Sequence, residues 1–287
     1  MRPYVYALGA VLCWASLPAA TGSALDGLSV PEVLVFSFVP AALYLTIQTM
    51  LLTRRMAVPW PDMRLGLLRL GGIFVYHALY YTALDHAPLV EGAILTTTWS
   101  FWIVVFSSVL ELKRLSLATV AVALTGLVGA ALVIAQGQGI DFQARYLSGY
   151  ILALICGLIW SSFSVTLSRC KPDRDYMPAF TVLAACCSLL VYAVAGPHSL
   201  PPLHTLGAAL YLGLIPLGLS FTLWNRAITT GNMTIIGYLS YLTPPLAVLL
   251  AALIRGAAVT PWAILGLVLI LGAALGGQRL CKTGRTR

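Results

Sequence analysis

Tyr76, His77 and Tyr80 fall within five residues of one another inside an apolar run. At 100° per residue, a helix gathers all three onto a face less than about 120° wide. Tyrosines and cysteines apart, His77 is the one ionisable side chain near the middle of an apolar run. A neutral imidazole and two phenol hydroxyls can hydrogen-bond an amino or a carboxylate group. An internal bond between helices is the plainer use of the same groups. Thr96, Trp99 and Trp102 share one side of a later helix. Tryptophan prefers the membrane interface, so a central Trp99 suits stacking on an aromatic ligand or walling an apolar cavity; a core filler is the alternative. Trp160 and Ser164 share a face further on, and Trp14 reads equally well as packing. Tyr238 and Tyr241 stand just before Pro244 and Pro245. Proline removes an internal hydrogen bond and frees a carbonyl, which hydrocarbon tolerates only beside protein or a wet cavity. Pro244 and Pro245 therefore mark a hinge at a site edge, or a static kink.

This chemistry is recognition and not bond-breaking. The chain has no H-E-x-x-H, no G-x-S-x-G and no Cys or His spacing for zinc, so no catalytic residue, metal or cofactor is expected. All nine acidic residues fall in loops or at helix ends. Proton or sodium coupling usually relies on a carboxylate at membrane depth. Lysine and arginine are missing from mid-run positions too, which disfavours a strongly anionic substrate. The two absences favour uncoupled movement of a neutral or zwitterionic solute.

The elements that must hold these residues follow from composition. Of 287 residues, 60% are hydrophobic and 9% charged, against about 25% charged in soluble domains. So few charges cannot cover a water-facing surface. Ten apolar runs are predicted, at 4–23, 32–52, 65–84, 90–111, 115–135, 147–168, 176–195, 203–225, 233–254 and 260–280. The first is read as a span and not a cleaved leader, because it contains Pro18 and has a partner later in the chain. Fifteen of the 17 Lys and Arg residues fall at the termini and in even-numbered loops; only Arg145 and Arg255 fall in the other set. The positive-inside rule then puts both termini in the cytoplasm. The net charge of +8 is spread in small groups between apolar runs, so no nucleic-acid partner is expected. Cys13, Cys156, Cys186 and Cys187 lie within apolar runs as packing residues. Trp60, Trp224 and Trp262, near run boundaries, are read as interfacial anchors, and Asn225 and Arg226 as a cap or anchor before a gate.

The halves resemble each other at a nearly constant offset. Trp14-Ala15-Ser16 answers to Trp160-Ser161-Ser162, Ala83-Leu84 to Ala227-Ile228, and Gly129-Ala130-Ala131-Leu132 to Gly272-Ala273-Ala274-Leu275. Five helices per half is an odd number, so the copies must enter the membrane from opposite sides. The expected fold is an all-α integral membrane protein of ten transmembrane helices in two inverted five-helix repeats, residues 1–140 and 141–287. Gly272 with Gly276 and Gly126 with Ala130 are expected to let helices approach closely.

These paired motifs, the junction Ala227-Ile228-Thr229-Thr230-Gly231-Asn232 and the following Leu242-Thr243-Pro244-Pro245 resemble the EamA-type branch of the drug/metabolite transporter superfamily. The likeness spans the chain. Tyr76-His77-Ala78-Leu79-Tyr80-Tyr81 and Thr98-Trp99-Ser100-Phe101-Trp102 make it similar to exporters of aromatic amino acids within that branch. It departs at Glu111-Leu112-Lys113-Arg114, where relatives place a basic residue directly after the glutamate. The resemblance implies a multi-pass inner-membrane exporter of amino acids, preferentially aromatic or large neutral ones, working by alternating access; the oligomeric state is left open, a monomer being compatible with the sequence. An exporter of another neutral metabolite or hydrophobic drug is the alternative. The expected substrate-binding residues are Tyr76, His77, Tyr80, Thr96, Trp99, Trp102, Trp160, Ser164, Tyr238 and Tyr241. An amino acid or similar small molecule and the lipid bilayer are the partners.

Overall fold

Long apolar runs satisfy their own backbone groups by coiling into helices, and every regular element here is helical among the described residues. The computed structural model describes residues 2–54, 59–61, 70–110, 113, 115–170, 172, 174–195 and 201–283. Nine stretches among them are long and apolar enough to cross a bilayer: Arg2–Leu25, Val30–Thr53, Leu89–Leu110, Leu117–Ala135, Ala144–Cys170, Met177–Val194, Leu203–Thr230, Met233–Ile254 and Pro261–Leu280. The run expected at 65–84 lies partly outside the described residues; its described part is helical through Asp85. Glu111 also lies outside them.

Several spans are interrupted. The first comprises α1 (Arg2–Ala15) and α2 (Leu17–Leu25), parted at Ser16. There the Ser16 hydroxyl donates to the Cys13 carbonyl at 2.9 Å, and Pro18 sits in the first turn of α2. α3 (Val30–Thr53) opens on a capping box: Glu32 accepts from the Ser29 backbone N–H and hydroxyl, both at 2.8 Å. That box accounts for a carboxylate only 6% exposed. A π-helical segment, Gly71–Val75, leads into α4 (Tyr76–Asp85). Next come α5 (Leu89–Thr96) and α6 (Thr98–Leu110), parted at Thr97, then α7 (Leu117–Ala135), α8 (Leu147–Cys170) and α9 (Met177–Val194).

The remaining spans repeat this pattern. α10 (Leu203–Leu212) passes through a π-helical Gly213–Leu219 into α11 (Ser220–Thr230). α12 (Met233–Ser240) and α13 (Thr243–Arg255) are parted at Tyr241 and Leu242, and α14 (Pro261–Thr283) closes the chain. α4 and α11 begin 144 residues apart, as do α5 and α12. The caps of α7 and α14 keep the same spacing: Ser116 Oγ accepts from Thr119 N at 3.1 Å, and Thr260 Oγ1 from Ala263 N at 3.2 Å. The run expected as one helix at 233–254 is thus two. Pro244 falls in the first turn of α13, where a missing N–H costs nothing.

α7 and α14 pack along their length at the edge of the bundle. Their close approach is made by Gly129 and Gly266, not by the expected Gly272 and Gly276. A Cβ on Gly129 would stand 2.7 Å from the Gly266 carbonyl oxygen, and one on Gly266 would collide with the Gly129 carbonyl. Around Gly272 nothing lies within 4 Å of such a Cβ, and Gly276 has only Val122 at an ordinary 3.6 Å. Gly129→Val therefore forces two backbones apart, at a cost of about 1–3 kcal/mol. Thermal unfolding in detergent is expected to shift down for Gly129→Val and hardly at all for Gly272→Val.

Candidate functional site

The deepest packing is aromatic. Trp14 of α1 meets Trp99 of α6 at 5.7 Å, Trp160 of α8 at 5.4 Å and Trp224 of α11 at 4.9 Å between ring centroids. Two indole N–H groups lock the cluster. Trp14 Nε1 donates to the Pro216 carbonyl at 2.9 Å, and Trp224 Nε1 to the Ser164 hydroxyl at 3.1 Å. Ser161, one turn before Ser164 on α8, donates to the Trp99 carbonyl at 2.9 Å. Four helices are thereby fixed around one point.

Above this floor lies a cavity of about 290 Å³, near the lower bound of roughly 300 Å³ for small-molecule sites. Tyr76, His77 and Tyr80 line one wall and Phe221 another. Thr96 and Thr97 at the α5–α6 break, and Thr243 and Pro244 at the start of α13, also reach it. The rim carries Leu89, Val90, Gln136 and Ala251. No Asp, Glu, Lys or Arg lines the cavity among the described residues. His77 Nδ1 lies 2.8 Å from the Ile73 carbonyl, an acceptor only, so Nδ1 carries a proton. The neutral ring then presents Nε2 as an acceptor.

Of the residues expected at the site, Tyr76, His77, Tyr80, Thr96, Trp99, Trp160 and Pro244 share this cavity. Five others lie elsewhere. Trp102 stacks on Phe106 at 5.5 Å, away from the lining. Ser164 sits beneath the floor as the acceptor for Trp224. Tyr241 is fully buried against α7, donating to the Ala123 carbonyl at 2.8 Å, with Gly126 leaving room for its ring. Tyr238 fills the space left by Gly277 on α14. Pro245 belongs to a different face of α13, in an apolar groove with Leu8, Leu12 and Ile264. Trp224, expected as an interfacial anchor, is fully buried in the floor.

Sequence reasoning read Trp14 equally well as packing, and passed over Phe221 and Gln136. The signal for two of them was the offset itself. Trp14 pairs with Trp160, and Phe221 lies 144 residues after His77; those two rings face each other at 5.8 Å.

The opposite end of the bundle is sealed by polar contacts. Asp175, between α8 and α9, accepts from Met177 N at 3.0 Å and from the Asn225 side chain, near Arg226. Burial pushes its carboxyl above the usual range, against the pull of those partners. The Arg226 guanidinium lies 5.9 Å from the Tyr6 ring centre.

A multi-span helical bundle enclosing an uncharged, aromatic-floored cavity at the junction of broken helices has the architecture of a membrane transporter. The model of the EamA-like transporter family matches residues 1–135 and again 147–276, and the chain belongs to that family. It is 34% identical over 218 residues to the aromatic amino acid exporter YddG of Ancylobacter novellus, covering 75% of each chain. YddG of Escherichia coli is 24% identical over 204 residues, covering 67% of this chain and 68% of that one. A solved crystal structure superposes with a TM-score of 0.85 at 29% identity, covering 98% of this chain and all of the other.

Proposed function

We propose that the chain exports amino acids across the inner membrane, aromatic or large neutral ones first. It works by alternating access between two inverted five-helix repeats, residues 1–140 and 141–287, ten spans in all. One observation carries the reading: an uncharged cavity with a hydroxyl and imidazole wall over a tryptophan floor. Such a wall suits the polar groups of an amino acid, and the indoles suit an aromatic side chain. Equivalent residues of the halves meeting at the centre, Trp14 with Trp160 and His77 with Phe221, support the repeat. The relatives named as aromatic amino acid exporters support the substrate class. The distribution of Lys and Arg supports a cytoplasmic Asp175–Arg226 end, with the cavity rim opening outward.

Purified protein in liposomes is expected to move labelled phenylalanine in a saturable manner, with tryptophan competing. Flux is expected to follow the amino acid gradient and to persist when a proton gradient is abolished at fixed amino acid concentrations. Flux no faster than in empty liposomes removes the substrate class. Collapse with the proton gradient removes the uncoupled mechanism.

A further inference from the structure

At the cytoplasmic end the broken helices close on each other. α6 packs along α12, with Ser240 Oγ donating to Ser100 Oγ at 2.7 Å and Ser107 Oγ 2.9 Å from Thr234 Oγ1. Between these rungs, a Cβ on Gly237 would press on Ile103 at 2.6 Å and Val104 at 3.0 Å. The other halves, α5 and α13, share no extended interface; both line the open cavity.

In an inverted repeat, the contacts that seal one side predict those that seal the other, with the halves exchanged. The 144-residue spacing holds for α5 with α12 and for the caps that follow α6 and α13, so it brackets the whole region. Applied to the closed interface, Ser100–Ser240 becomes Pro244–Thr96. Gly237 against Ile103 and Val104 becomes Ala93 against Ala247 and Val248. Ser107–Thr234 becomes Ala251–Val90. All seven of these residues line the cavity and none was used in choosing the spacing.

We propose that these residues form the outer gate. Val90, Ala93 and Thr96 of α5 close onto Ala251, Ala247, Val248 and Pro244 of α13 when the cavity turns to the cytoplasm. Ala93, Ala247 and Ala251 permit the approach, because small side chains let helix backbones come together in a bilayer. The two gates differ in kind. The inner one has two hydroxyl rungs and the Asp175–Asn225 bond; its outer counterpart keeps a single hydroxyl, Thr96. That hydroxyl already donates to the Ala93 carbonyl of its own helix at 3.1 Å, so apolar contact holds the outer gate and no hydroxyl rung crosses it.

This inference rests on the repeat and alternating access proposed above. The test places cysteine pairs in a variant whose six native cysteines are replaced. Val90→Cys with Ala251→Cys and, independently, Ala93→Cys with Ala247→Cys are oxidised with copper phenanthroline in liposomes, with and without phenylalanine. Ser100→Cys with Ser240→Cys is the control for the closed side. Cross-linking is read by electrophoresis after proteolysis between the halves, so it does not depend on transport. The expected result is that both outer pairs cross-link, that flux is lost on oxidation, and that dithiothreitol restores it. Either pair cross-linking in this way supports the gate even if the other variant fails to fold. Absence of cross-links in outer-pair variants that still carry phenylalanine, while the control cross-links, overturns it. Cross-linked outer pairs in a protein that carries no amino acid would leave the gate standing and remove the substrate.

Discussion

His77→Ala is expected to raise the half-saturating concentration of the transported amino acid by about ten- to a hundredfold. The Nδ1 proton of His77 is committed to the Ile73 carbonyl at 2.8 Å, which leaves Nε2 as an acceptor in a cavity that no carboxylate lines among the described residues. An ammonium group entering this space has few other partners of comparable basicity. A hydrogen bond to a charged group contributes about 1.5–3 kcal/mol, which sets the fold-change through the affinity relation. The ring also packs against Phe38 at 5.3 Å and Phe221 at 5.8 Å. Size-exclusion elution and tryptophan fluorescence must therefore accompany the flux measurement. His77→Gln, which keeps an acceptor, is expected to recover part of the affinity. Equal half-saturation in wild type and His77→Ala would remove the imidazole from the site.

The second large effect is expected at Trp14. Its ring touches three other indoles, and its N–H ties α1 to the π-helical segment before α11 through the Pro216 carbonyl. Trp14→Ala leaves a void under the cavity and an indole-sized gap between helices, at a cost of about 3–5 kcal/mol. The unfolding temperature in detergent is expected to fall and transport to be lost. Trp14→Phe keeps most of the ring contact but not the N–H, so its unfolding temperature is expected to lie between the two. An unchanged unfolding temperature in Trp14→Ala would mean that the cluster does not hold the halves together.

The features legible in the sequence were those set within one helix. Apolar length gave the nine spans found among the described residues, and the spacing of Tyr76, His77 and Tyr80 gave a shared face, which the cavity lining contains. What escaped depended on how each helix is rotated against its neighbours. Tyr238 and Tyr241 look like site residues on an isolated helix, yet Gly277 and Gly126 on flanking helices leave hollows that take their rings. Trp224 lies near the predicted end of its run, but the span continues through Thr230 and carries the indole to the centre. The Gly272–Gly276 spacing was visible while its orientation was not, and the backbones meet instead at Gly129 and Gly266. Pro244 and Pro245 stand close after an interruption, but they sit on different faces of the helix they begin: one lines the cavity, the other the apolar groove.

The uncharged lining of the cavity has an energetic consequence. A side chain with fixed charge crossing with its solute would couple the cycle to the membrane voltage, which is worth about 2.3 kcal/mol per elementary charge per 100 mV. Here neither the lining, among the described residues, nor a zwitterionic amino acid carries net charge. On the uncoupled mechanism proposed above, the resting potential then performs no electrical work on a turnover, in either direction. On that mechanism the protein builds no gradient; it relieves one, acting as an overflow valve whose output is set by what accumulates behind it.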